Sequence, residues 1–84
     1  MSEKFLKAAE EVKKLSLRQT KDAQYELYGL YKQVTDGDCT TRKPSVMMHM
    51  VQEKWKAWNK LRGLSKEEAE AEYIALVESL KSKE

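Results

Sequence analysis

Tyr28, Tyr31 and Lys32 stand at i, i+3 and i+4, a spacing that puts all three on one side of an α-helix. Further along, Lys54-Trp55-Lys56-Ala57-Trp58 brings ammonium groups and aromatic rings together a second time. A lysine ammonium and a tyrosine hydroxyl donate to phosphate oxygens, and an aromatic face stacks on a base. The chemistry these residues suit is recognition of a ligand that carries both a phosphate and a flat ring. Each residue alone has a plainer reading, because surface lysines are ordinarily solvated and helically spaced tyrosines more often pack than bind. Only their joint placement singles them out.

Little else in the chain points to bond-making chemistry. His49 is the one histidine and has no partner at metal-ligand spacing. There is no identifiable Cys/His or Ser/His/Asp arrangement and no glycine-rich phosphate loop, so the expectation is a binding protein without catalytic residues, metal or cofactor. Cys39, the single cysteine, rules out an internal disulfide and fits a reducing compartment. It reads as a small apolar residue of a loop.

The 84 residues support one domain, 1–84, with 36% charged side chains that nearly balance to a net charge of +2. That balance lacks the basic footprint of a nucleic-acid binder, so any anion site must be local. Met1 runs into Ser2-Glu3-Lys4 without the apolar stretch of a leader, and no segment approaches the roughly 20 apolar residues that span a bilayer. The expectation is a cytoplasmic monomer whose membrane contact is at most transient.

Four helices must position these groups. Phe5, Ala8, Ala9, Val12 and Leu15 form the apolar stripe of a first helix, with Ser2 as its cap. A second helix starts after Thr20 or Asp22 and turns Ala23, Leu27, Leu30 and Val34 inward, leaving Tyr28, Tyr31 and Lys32 on another face. Asp36-Gly37-Asp38 breaks it. A long connection through Pro44 leads to a third helix, from about Met48 to Leu61, with Val51, Trp55, Trp58 and Leu61 or Arg62 inward. One tryptophan is expected to fill the core and the other to border the site. Gly63 ends this helix. Leu64-Ser65-Lys66-Glu67-Glu68-Ala69 is a capping box with a hydrophobic staple, and Ala69, Tyr73, Leu76, Val77 and Leu80 face inward on the fourth. The predicted fold class is all-α, a four-helix bundle with one long connection between helices 2 and 3.

At these residues the chain resembles the acyl-CoA-binding protein family over almost its whole length. The first-helix stripe, Tyr28 to Gln33 with Thr35, Gly37 and Asp38, then Pro44, Lys54, Trp55, Ala57, Trp58 and Asn59, and lastly Gly63, Ser65, Lys66, Glu67, Tyr73 and Ile74 carry the likeness. The resemblance implies a bundle that binds long-chain fatty acyl-CoA esters, one per chain, without chemistry. It implies that Tyr28, Lys32 and Lys54 hold the ribose phosphate of the CoA head, that Tyr31 and Tyr73 contact adenine and ribose, and that Lys13 and Ala9 line the same end. First helix would pack on fourth through Phe5, Ala9, Val12, Leu15, Tyr73, Ile74, Val77 and Leu80.

The candidate acyl groove comprises Gln24, Tyr25, Leu27, Met50 and Glu53. Gln24, Tyr25 and Glu53 depart from the smaller or aliphatic groups common in the family, which predicts an altered chain-length preference. In the loop, Arg42-Lys43, Ser45 and His49 also depart from the usual pattern. The main rival reading is a helical protein-interaction module that docks a partner helix on its aromatic patch.

Overall fold

The computed structural model describes residues 2–18, 20–44 and 47–82, with the side chains of 16–18 outside the description. Its helices are α1 (Glu3–Val12), α2 (Lys21–Thr35), α3 (His49–Asn59) and α4 (Lys66–Lys81), with a 3-10 segment, Lys13–Arg18, after α1. This is the all-α bundle expected. The helix starts follow from side-chain caps that satisfy orphan amides: Ser2 accepts from the Phe5 amide, Thr20 from Ala23 and Ser65 from Glu68. The Ser65 hydroxyl also donates to Glu68 Oε1 at 3.0 Å, so the Glu68 side chain does reach back, to the hydroxyl. Thr20 rather than Asp22 caps α2.

Three expectations need correction. Leu15 lies in the 3-10 segment with non-helical φ −105° and ψ 17°, so α1 ends three residues early, although Leu15 still packs on the core. Val51, expected inward, is exposed. Gln52 is buried in its place and donates to the Pro44 carbonyl. Leu61 falls in the turn after α3 rather than on the helix.

One core joins α1, α2 and α4: Phe5, Ala8, Leu27, Leu30, Val34, Ala69, Tyr73, Val77 and Leu80 are all buried in a single cluster. α3 packs on α2 alone. The two come close because Gly29 has no side chain, and a Cβ there would lie 2.5 Å from the Ala57 carbonyl oxygen. The long connection is held by polar contacts. Trp58 Nε1 donates to the Gly37 carbonyl at 2.8 Å and Trp55 Nε1 to the Thr41 carbonyl at 3.0 Å. Buried Gln33 donates to Asp38 and to the Leu64 carbonyl, and the same Asp38 oxygen accepts from the Gly63 amide. The turns that end α2 and α3, each with a glycine at positive φ, are thereby tied together. Cys39 is buried beside this network.

Candidate functional site

The α2 face that carries Tyr28, Tyr31 and Lys32 opens on two recesses that share Tyr28 and Lys54. The first, about 510 Å³, is walled by Lys32 on α2, by Val51, Trp55 and Trp58 on α3, and by Thr41, Arg42 and Pro44 of the connection. The second, about 460 Å³, is walled by Val12 at the end of α1 and Lys13 just after it, by Gln24, Leu27 and Tyr31 on α2, and by Tyr73 on α4. Together they form one cleft that runs across every layer of the fold.

Its electrostatics are lopsided. Lys13, Lys32, Arg42 and Lys54 line the cleft, and no aspartate or glutamate does. Three other recesses each have carboxylates in their walls. A chain whose formal charge is only +2 thus gathers four cations around one depression, which raises the local concentration of anions.

The cations are held differently. Lys32 pairs with Asp36 at 2.5 Å and lies 5.0 Å from the centre of the Trp58 ring. The hydrogen bond it donates to Asp36 is the main reason its pKa is raised, against partial burial, so it stays an ammonium. Asp36 must share or release this contact when Lys32 takes another anion. Lys54 sits over the Tyr28 ring, 5.4 Å from its centre. Such a cation–ring contact steadies the ammonium while leaving its N–H groups available. Lys13 contacts Glu10 at 3.5 Å on the open surface.

The aromatic half is more rigid. Phe5, fully buried, stacks on Tyr31 with centroids 5.7 Å apart and tilts against Tyr73 at 4.9 Å. Tyr73 is itself buried, and burial first, then Tyr31, pushes its phenol pKa up. Tyr31 remains 42% exposed on top of this stack, so its outer face is presented as a platform for a flat ring.

A scan against protein families matches residues 2–77 to the family described as acyl CoA binding protein. The chain belongs to that family. It is 46% identical over 79 residues to the acyl-CoA-binding protein of Dictyostelium discoideum, with 94% of each chain covered. It is also 46% identical over 83 residues to the acyl-CoA-binding protein homolog of Drosophila melanogaster, covering 99% of this chain and 96% of that one. Among solved structures, Oryza sativa acyl-CoA-binding protein 2 superposes with a TM-score of 0.93 at 41% identity, covering 96% of this chain and 88% of the other.

In this member of the acyl-CoA-binding protein family, Lys13, Tyr28, Tyr31, Lys32, Lys54 and Tyr73 all border the cleft. Ala9 does not line it and packs against the core instead. The groove candidates divide. Gln24 and Leu27 border the aromatic recess. Tyr25 and Glu53 lie in a separate trough between α2 and α3, beside Asp22, Glu26, Lys56 and Lys60, and this trough runs on over Leu30, Ala57 and Leu61. Met50 is exposed and lines none of these recesses. Among the polar wall residues, two were not singled out for the site from sequence, Thr41 and Arg42. Their only signal was a cation in a segment of low periodicity, and the bond from Trp55 to Thr41 that places them is a tertiary contact.

Proposed function

We propose that this chain is a non-catalytic carrier of long-chain fatty acyl-CoA esters, binding one per chain as a monomer in the cytoplasm and touching membranes only transiently as ligand is exchanged. The supporting observation is the cleft itself: four cations and no carboxylate in its walls, with an exposed tyrosine face beside them. A CoA ester has an anionic nucleotide head and an apolar tail, so its receptor needs localised cations, a ring platform and apolar wall together. Lys32, Lys54 and the Tyr28 hydroxyl are the proposed phosphate donors, and Tyr31 and Tyr73 the proposed contacts to adenine and ribose.

A charge-assisted hydrogen bond contributes about 1.5–3 kcal/mol, and burial of each methylene about 0.8 kcal/mol. Roughly a dozen buried methylenes would supply on the order of 10 kcal/mol before ordering costs. The tail then sets affinity, and the head sets specificity. Tyr25 and Glu53 place bulk and charge in the α2–α3 trough, and Gln24 borders the head-group recess, so a tail entering either route meets polar groups. The reading therefore includes a chain-length preference shifted from that of a typical relative.

Calorimetric titration with palmitoyl-CoA, free CoA and palmitate tests the proposal. One-to-one binding of the ester, with free CoA much weaker and palmitate negligible, is the expected result. Lys32→Ala or Tyr28→Phe should weaken the ester by about tenfold or more with helix content intact. Saturation by none of the three ligands would overturn the reading in favour of a protein partner. A length series that matches a typical relative would remove the altered preference alone.

A further inference from the structure

The cations of the cleft are not equally available to a ligand. Lys54 rests over the Tyr28 ring, and Lys13 touches Glu10 only loosely on the open surface. Lys32 is held tightly, its ammonium 2.5 Å from Asp36 Oδ2, with the lysine side chain 29% exposed and the aspartate 48%. This aspartate is poorly placed for stabilising its own helix. Asp36 is the C-cap of α2, where a carboxylate meets the negative end of the helix dipole. A lysine four residues ahead of an acid is also the less favourable order for an ion pair along a helix. Lys32 lines the cleft and Asp36 does not, so the pair draws a wall cation towards a carboxylate outside the site. Asp36 has a second cation within reach of its field, because the charge of Lys66 also helps to hold its carboxyl below the ordinary value. The Lys66 stem passes 3.9 Å from where a Cβ on Gly37 would stand. Giving up Lys32 therefore does not strand the Asp36 charge.

We infer that Asp36 is an internal competitor for the ligand's phosphate: it occupies the Lys32 ammonium while the cleft is empty, is displaced when a phosphate binds there, and so weakens the head-group site. The inference rests on the carrier reading for the identity of that ligand. A protein whose binding-competent form is only partly populated binds more weakly in proportion to that fraction. For a partly exposed ion pair the expected attenuation is about two- to fivefold. A carrier must also give its ligand up, and a carboxylate that returns to Lys32 supplies the ammonium with a partner as the phosphate leaves.

Calorimetric titration of the unmodified chain and of Asp36→Asn, each with palmitoyl-CoA and with free CoA, tests it. The substitution keeps the shape and removes the charge, and asparagine suits a helix C-terminus, so the thermal midpoint should be unchanged or higher. Asp36→Asn is expected to bind both ligands about two- to fivefold more tightly, because the head and not the tail competes. In a Lys32→Ala background the same substitution should give no gain, which closes a double-mutant cycle on the pair. An Asp36→Asn variant that binds no tighter, or more weakly, overturns the inference, since the carboxylate would then orient Lys32 rather than compete for it. A gain of equal size without Lys32 overturns it as well, because Asp36 would be acting by repulsion through space. Failure of the carrier reading looks different: the unmodified chain itself would not bind palmitoyl-CoA. If Asp36→Asn is then silent too, both readings fall, and if it binds, only the carrier reading does.

Discussion

Helices α1, α2 and α4 meet across Phe5, Tyr73, Val77 and Leu80, each almost wholly buried, whereas α3 touches only α2 and carries four of the cleft's walls on a much more exposed helix. One side is held by apolar burial. The other is held by a backbone approach at Gly29 and by side-chain bonds from Trp55, Trp58 and Gln33 to loop carbonyls. Close packing leaves buried rings little room to move, while a loop held by single hydrogen bonds to carbonyls opens locally when one of them breaks. The ring platform at Tyr31 inherits the rigidity of the first side, and the cations at Arg42 and Lys54 inherit the adjustability of the second. A ligand with a flat base and several phosphates fits that division.

Phe5→Ala should do the most damage, because it empties a fully buried site under both Tyr31 and Tyr73. The expected loss is about 3–5 kcal/mol in chemical denaturation. A loss smaller than that of any α3 variant would break the comparison. Gly29→Ala strikes the other side. Its methyl would press on the Ala57 carbonyl, and the overpacking cost of about 1–3 kcal/mol is offset by up to about 1 kcal/mol of helix propensity. A modest net loss is expected, with tryptophan emission shifted as α3 moves and far-ultraviolet helix signal kept. Unchanged emission would mean that the α2–α3 approach is not constraining.

Trp55→Phe removes the bond to the Thr41 carbonyl, a contribution of about 0.5–1.5 kcal/mol. Hydrogen exchange should rise in the segment around 39–44 with little effect on α1 or α4. Protection lost evenly across the chain would show that the connection belongs to the main core.

Acid should have the smallest effect. Gly63 and Gln33 hold the Asp38 carboxyl below its ordinary value, Lys81 does so for Glu11, Ser2 for Glu70 and Lys32 for Asp36. A lowered folded-state pKa contributes stability above the unfolded value, near 4, and that contribution is lost as pH falls through the folded one. Stability should therefore be level from neutral pH to about 5 and decline below about 4. Asp38→Asn should flatten part of that decline, and an equal decline in this variant would remove Asp38 from the account.

Much of the fold is legible in the sequence because its signals are local. The caps at Ser2, Thr20 and Ser65 and the stripes of α2 and α4 depend on spacing alone, and the tryptophans divide in burial, Trp58 buried and Trp55 half-buried, although both border the cleft. Periodicity is a poorer guide in α3. Its inward face includes a glutamine and its exposed face a methionine and a valine, Met50 and Val51, and so apolar spacing places Val51 inside when it lies outside. For the site, the side-by-side placement of Tyr28, Tyr31 and Lys32 follows from helical geometry, and the roles of Lys13, Lys54 and Tyr73 come from resemblance to the family.

The sequence by itself determined four helices, their starts, the core of the three-helix side and the α2 face that carries the ligand chemistry, because each rests on interactions spanning a few residues. Only the tertiary structure decided that Lys54 lies over Tyr28, that Arg42 joins the cleft, and that Tyr25 and Glu53 fall in a different trough from Gln24 and Leu27. Those placements depend on how closely α3 crosses α2 and where two indole N–H groups find carbonyls, and such contacts between distant residues leave no periodic trace in the chain.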